Sequence, residues 1–248
     1  MTRSTVNFPL LPIQLVGQDL GLLIAELRQE INGSNQQLVA TANPEFIVAA
    51  TQNTEFLQAL QQAALTVCDG VGLQLATRWL TGHQVPRITG VELTQSLLTD
   101  QSGQFKIFLL GGAPGIAQKV AMRYPETVVG AASGGQLTKD YFLTDQESVI
   151  SQINQSGANV MLVAFGQVKQ ELWIARHLQQ LPTIKIAIGV GGTFDYLSGT
   201  VTRAPKLMRQ LGLEWFYRLI RQPQRLPRII NATIRFSWLV FKFKLHGK

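Results

Sequence analysis

The sequence predicts an α/β fold: a Rossmann-like, mostly parallel sheet with helices on both faces, extended at its C-terminus by a basic helical appendage. Three observations carry this. Short apolar runs alternate with segments whose apolar residues recur at helical spacing. Five of the apolar runs end in glycine or small polar residues, as strands do where a parallel sheet opens into a ligand cleft. The charge is split: residues 1–199 hold eleven Lys and Arg against fourteen acids, a net of −3, whereas residues 200–248 hold eleven against one, Glu214, a net of +10.

The elements follow in order. Residues 1–37 read as a lead-in with one amphipathic helix over 17–29. Residues 38–42 form a buried strand and 45–64 a helix. Residues 65–68 are a strand running into Asp69-Gly70, with a helix over 71–80. A strand over 106–110 runs into Gly111-Gly112, before a helix over 115–123. Strand 128–132, helix 147–154, strand 160–165 and helix 169–181 continue the alternation, and strand 184–190 ends in Gly191-Gly192. Composition shifts near 199–205. Two helices are expected beyond it, over 206–221 and 226–245, separated at Gln222-Pro223. The domain reading is therefore a core over 1–199 and an appendage over 200–248.

At 248 residues and 46% hydrophobic, the chain can bury one full core. Its single cysteine, Cys68, allows no disulfide framework and points to a reducing cytoplasm. The N-terminus lacks the basic start and apolar run of a signal peptide. A spanning helix needs roughly 18–20 uninterrupted apolar residues. The nearest stretch, 236–245, is broken by Lys242 and Lys244, so the chain is expected to lie on a membrane rather than cross it. His83, His177 and His246 are scattered and no Asp-x-Asp pair occurs, so no metal site is expected. There is no G-x-S-x-G nucleophile motif.

The strand ends define one cleft: Thr41-Ala-Asn43-Pro-Glu45, Asp69-Gly-Val-Gly72, Gly111-Gly112-Ala-Pro-Gly115, Gly166 to Glu171, and Gly191-Gly192-Thr-Phe-Asp195. The Gly111–Gly115 turn either cradles phosphate on free amides at a helix start or is an ordinary turn. Asp69 either caps the following helix or stands in the cleft as a general base. Asn43 caps a helix or binds a sugar, Asp195 caps or belongs to the site, and Glu171 starts its helix through the dipole.

Taken together, eight motifs resemble the WecG/TagA/CpsF family of glycosyltransferases over roughly residues 10–230. They are Thr41-Ala-Asn43-Pro-Glu45, Asp69-Gly-Val-Gly72, Arg87-Ile-Thr-Gly90, Phe108-Leu-Leu-Gly-Gly112, Lys169-Gln170-Glu171-Leu-Trp173, Gly191-Gly192-Thr-Phe-Asp195, Arg203-Ala-Pro205 and Leu213-Glu-Trp-x-x-Arg218. The resemblance implies an inverting, metal-independent transfer of a hexosamine-type sugar, N-acetylmannosamine or a relative. The sugar would pass from a UDP-sugar to undecaprenyl-diphosphate-linked N-acetylglucosamine, in cell-surface polysaccharide synthesis, with no cofactor. It assigns the catalytic base to Asp69 and cleft contacts to Asn43, Arg87 and Gln170; Thr41, Gly111, Gly112, Gly115 and Asp195, at the same strand ends, complete the expected donor and acceptor site. It makes Arg203, Arg218, Arg221 and Arg225 candidate diphosphate binders, and with no metal expected the departing diphosphate would meet these arginines and backbone amides. Transfer of another hexose, and a non-catalytic nucleotide-sugar-binding role, stay open. The family's Gly-x-Gly-x-Pro-Lys-Gln-Glu run here has Ala164 for the first glycine and Val168 for the proline, in a loop that would meet the donor.

The expected partners are the UDP-sugar, the polyprenyl-diphosphate-linked acceptor and an anionic membrane, with a homo-oligomer left open. Trp215, Phe216, Tyr217, Phe236, Trp238, Phe241 and Phe243 lie among the appendage's basic residues, which suits a membrane interface. Long apolar runs accompany these charges, so no nucleic acid is expected. The protein is placed in the cytoplasm, peripheral on the inner face of the plasma membrane.

Overall fold

Alternate residues along each central strand feed opposite faces of one sheet. In a computed structural model that describes residues 4–138, 140–221 and 223–247, the chain runs β1 (Thr5–Phe8), β2 (Ile13–Val16), α1 (Leu20–Glu30), β3 (Gln37–Ala42), α2 (Pro44–Ala50), α3 (Thr54–Gln62), β4 (Leu65–Cys68), α4 (Val71–Thr81) and α5 (Gly90–Leu98). It continues β5 (Ile107–Gly111), α6 (Ile116–Arg123), β6 (Val128–Ala132), α7 (Gln146–Gln155), β7 (Val160–Ala164), α8 (Lys169–His177), β8 (Ile186–Gly189) and α9 (Thr193–Leu197). It ends in α10 (Lys206–Gln210), α11 (Glu214–Arg221) and α12 (Leu226–His246).

The sheet order is β1-β2-β4-β3-β8-β7-β5-β6, parallel throughout except for the β1–β2 edge hairpin. All six residues of β3 are buried, as expected for a parallel strand covered on both faces. Val39, Ile107, Leu109, Leu162 and Ile188 pack with α1, α5, α6 and α9. The intervening Ala40 and Ala42 meet α2, α3 and α4, and Phe108, Leu110 and Met161 meet α7 and α8. The α/β expectation is met.

β3 and β8 are neighbours, yet the chain leaves β3 toward β4 on one side and reaches β8 from β7 on the other. Their carboxyl ends therefore flank the crevice where such sheets bind ligands. Over that opening lies α12, whose Phe236 and Val240 are buried in the cluster that contains Phe46, Leu73 and Ala76.

Several boundaries differ from the sequence expectation. The lead-in contains the β1–β2 hairpin. The helix expected over 45–64 is two: α2 ends at Ala50 with Thr51 as its C-cap, and Asn53 caps α3 by accepting from Phe56 N–H at 2.9 Å. The helix expected over 206–221 is broken by Gly212 at φ 72°, whose backbone packs on Val71. An additional helix, α5, starts at a capping box formed by Thr89 and Glu92.

Candidate functional site

At the end of β3, Asn43 caps α2, its Oδ1 accepting from Phe46 N–H at 3.2 Å. Just before it, the buried Thr41 donates its hydroxyl to the Gly189 carbonyl at 2.8 Å, tying β3 to the end of β8. Asn43 is thus a helix cap that also faces the crevice. Asp69 is not a cap: the N-cap of α4 is Gly70, without a side-chain hydrogen bond. Gly70 is needed there, since a Cβ would stand 2.7 Å from Pro44. The half-buried Asp69 side chain instead lines the crevice. Beside it, burial and then the Asp69 charge push the Cys68 thiol up to about 12, so Cys68 is no nucleophile.

Arg87 lines the same space and donates to the Arg209 carbonyl at 2.8 Å, joining the sheet's edge to α10. Gln170 and Glu171, at the start of α8, are both fully buried. Glu171 accepts from Val168 N–H at 2.9 Å and from the Gln170 amide nitrogen at 2.7 Å, while the Gln170 oxygen accepts from Gly191 N–H at 2.9 Å. Burial raises the Glu171 carboxyl to about 7, against the lowering effect of those hydrogen bonds. Val168 has φ 72° and ψ −52°, a γ-turn geometry that costs a β-branched residue on the order of 1–3 kcal/mol.

Two cavities open at this end of the sheet. The larger, about 890 Å³, is lined at its base by Thr41, Asn43, Asp69, Arg87 and Gln170. Its upper wall is apolar: Leu75 and Trp79 of α4, Trp215 of α11, and Ile229, Phe236 and Val240 of α12. The smaller, about 570 Å³, lies over β5, β6 and β7 and is lined by Gly112, Ala113, Ser133, Gln136, Lys169 and Asp195, among others. Gly166, Gly191 and Gly192 border both.

The predicted residues thus divide. Thr41, Asn43, Asp69, Arg87 and Gln170 share the larger cavity, whereas Gly112 and Asp195 belong to the smaller. Gly111 and Gly115 shape the β5–α6 turn without lining either: a Cβ on Gly111 would stand 2.9 Å from the Ala164 carbonyl, and Gly115, at φ 80°, is the N-cap of α6. The Gly112 N–H, expected for phosphate, donates to the Ala164 carbonyl at 3.1 Å.

Arg203 also lines neither cavity; it pairs with Glu214 at 3.3 Å and Glu92 at 3.8 Å. Arg221 is exposed and donates to the Tyr217 hydroxyl at 3.3 Å. The side chains of Arg218 and Arg225 lie outside the described residues. Sequence reasoning placed Lys169 at a cleft strand end without giving it a role, and missed the loop Ser133 to Gln136. The pair Gly134-Gly135 after β6 carried the same signal as Gly111-Gly112. Among the described residues, no group of three or more His, Cys, Asp or Glu could hold a metal ion, and no helix is long and apolar enough to cross a membrane.

Comparison with known proteins bears on the family of the chain. The sequence profile of the Glycosyl transferase WecG/TagA/CpsF family matches residues 9–248. A Bacillus subtilis (strain 168) protein, N-acetylglucosaminyldiphosphoundecaprenol N-acetyl-beta-D-mannosaminyltransferase, is 31% identical over 216 residues, covering 85% of this chain and 81% of the relative. The parallel sheet, the crevice at its carboxyl edge and the extent of these matches lead to one conclusion: the chain belongs to the WecG/TagA/CpsF family of glycosyltransferases.

Proposed function

We propose that this glycosyltransferase moves N-acetylmannosamine from its UDP-activated form to N-acetylglucosaminyl-diphosphoundecaprenol, at the inner face of the plasma membrane, in cell-surface polysaccharide synthesis. The acceptor and the transferred sugar are those in the name of the Bacillus subtilis relative. The observation that carries the reading is the pair of dissimilar cavities meeting at three glycines. The smaller, glycine-rich one suits a nucleotide diphosphate, whose oxygens need close backbone approach. The larger has polar groups at its base and apolar helices above, which suits a sugar on a prenyl tail.

In this arrangement Asp69, on the acceptor's side, takes the proton from the acceptor hydroxyl. The freed oxygen attacks the anomeric carbon from the face opposite the departing UDP, and the configuration inverts. Thr41, Asn43, Arg87 and Gln170 orient the sugars. The leaving diphosphate comes close to the side-chain-free glycines of the junction, where Gln170 already holds the Gly191 N–H, with Gly112 and Asp195 along the donor. The acceptor's own diphosphate falls to the arginines of 200–248, the segment we read as a docking appendage. Arg203 serves it by exchanging Glu214 for a phosphate oxygen, together with Arg218, Arg221 and Arg225.

Helix α12 supports membrane docking. Ala232, Phe236 and Val240 are buried, while Ile230, Ile234, Trp238, Phe241 and Leu245 form a second apolar stripe, each at least 45% exposed. Lys242 lies 5.0 Å over the Trp238 ring. A basic helix with an exposed aromatic stripe lies in a bilayer interface, and each Lys or Arg near an anionic surface contributes about 1 kcal/mol. The test is a panel of UDP-sugars offered with a short-prenyl diphosphate N-acetylglucosamine acceptor. UDP-N-acetylmannosamine alone should give a disaccharide-lipid product. Equal transfer of glucose or galactose contradicts the donor assignment, and no product from any donor contradicts the activity.

A further inference from the structure

We propose that Glu171 is a positioning residue for transfer: through Gln170, its buried carboxylate fixes both walls of the glycine junction where the two cavities meet. This rests on the reading that transfer takes place at that junction.

Donors and acceptors at the junction match one for one. The junction is bordered by Gly166 on the β7–α8 loop and by Gly191 and Gly192 on the β8–α9 loop. One carboxylate oxygen of Glu171 accepts from Val168 N–H, two residues past Gly166, and so holds the first loop in its left-handed turn. The other accepts from the Gln170 amide nitrogen. That bond orients the amide: its nitrogen faces the acid, so its oxygen faces Gly191 N–H and holds the second loop. Only a group offering two acceptors satisfies both ends.

A glutamine at position 171 has one oxygen and one NH2. Turned one way, the NH2 meets Val168 N–H. Turned the other way, it forces the Gln170 amide to rotate and present its own NH2 to Gly191 N–H. Either way two donors face each other in a buried place. The surroundings leave no slack. A Cβ on Gly189 would collide with the Glu171 and Gln170 side chains, and Thr41 grips the Gly189 carbonyl from the crevice side. Among the described residues the carboxylate has no ion pair; it is held by amides alone. A charge buried at such desolvation cost is bound to the geometry it enforces.

The test compares the wild type, Glu171→Gln and the exchanged double variant Gln170→Glu/Glu171→Gln. In the double variant every group is satisfied again: the new glutamate accepts from Gly191 N–H and from the new glutamine's NH2, whose oxygen accepts from Val168 N–H. Amide hydrogen exchange on the ligand-free proteins reads the clamp directly. Glu171→Gln should speed exchange at Val168 and Gly191 by about 10-fold, the scale of one lost buried hydrogen bond, and the double variant should restore slow exchange. In transfer assays Glu171→Gln should lower kcat/KM by about 10-fold or more, as small misplacements of reacting groups do. It should also abolish the wild-type rise of kcat/KM as pH passes about 7, where the carboxyl ionises. Wild-type exchange in Glu171→Gln, or exchange that stays fast in the double variant, overturns the proposal. So does failure of both variants to fold, whereas folding of the double variant alone is itself the rescue. If the wild type transfers no sugar while exchange responds as described, the clamp stands and the functional reading falls.

Discussion

Replacing Val168 by proline restores the residue that the family's pattern carries at this point, and the structure predicts that it does harm. Proline locks φ near −65°, whereas Val168 sits at 72°. Its N–H, which donates to Glu171 at 2.9 Å, would be lost. A hydrogen bond to a buried charged group is worth about 1.5–3 kcal/mol, and remaking the turn adds the cost of breaking the Gln170 N–H to Gly166 carbonyl contact that starts α8. Val168→Pro should therefore destabilise by about 3 kcal/mol or more. Val168→Gly tests the same geometry from the other side. Release of about 1–3 kcal/mol of strain offsets about 1 kcal/mol of glycine entropy and roughly 1 kcal/mol of lost side-chain packing, so it should stay within about 1 kcal/mol of wild type. Urea unfolding measures both. A proline variant as stable as wild type, or a glycine variant destabilised by about 3 kcal/mol, would show that the Val168 turn is not held as described.

Asp69→Asn should lower turnover by about 10²-fold or more with the fold intact, and near-normal turnover would remove Asp69 from the role of base. The Glu171 carboxyl, raised from 4.5 to about 7 in the folded state, favours the protonated form. Its contribution to stability is complete below pH 4.5 and lost as pH rises to about 7, an amount of roughly 3 kcal/mol. Wild-type stability minus that of Glu171→Gln should fall over this window, and a flat difference contradicts the assignment. Ile234→Glu/Trp238→Glu should weaken sedimentation with anionic vesicles by about 10-fold or more while leaving transfer to a soluble short-prenyl acceptor. Unchanged sedimentation would show that this stripe is not the docking face.

The fold was legible because a parallel sheet buries both faces of its strands, which turns β3, β4, β5, β7 and β8 into short, mostly apolar runs that alternate with helical segments. Helix ends were less legible. Apolar periodicity runs on through Thr51 to Asn53, and the break shows only in the capping pattern Asn53-Thr-Glu55. The cavity base was readable from strand ends, since Thr41, Asn43 and Asp69 follow β3 and β4 directly. Two features were not. The division into two cavities depends on α11 and α12 folding back across the sheet, a long-range packing choice with no local signal. The role of Glu171 depends on burial: a glutamate near a helix start is read as a favourable dipole partner, and only packing against Gly189 shows it sealed beneath the crevice.

On the proposed function, donor and acceptor occupy separate cavities and meet at Gly166, Gly191 and Gly192. A crystal structure with bound UDP tests it most directly. The uridine and its diphosphate should lie in the smaller cavity, against Gly112, Ala113 and Asp195, with the terminal phosphate directed to Gly191 and Gly192 and the space beside Asp69 left for the acceptor. UDP lodged instead between Trp79 and Phe236 in the larger cavity would contradict it.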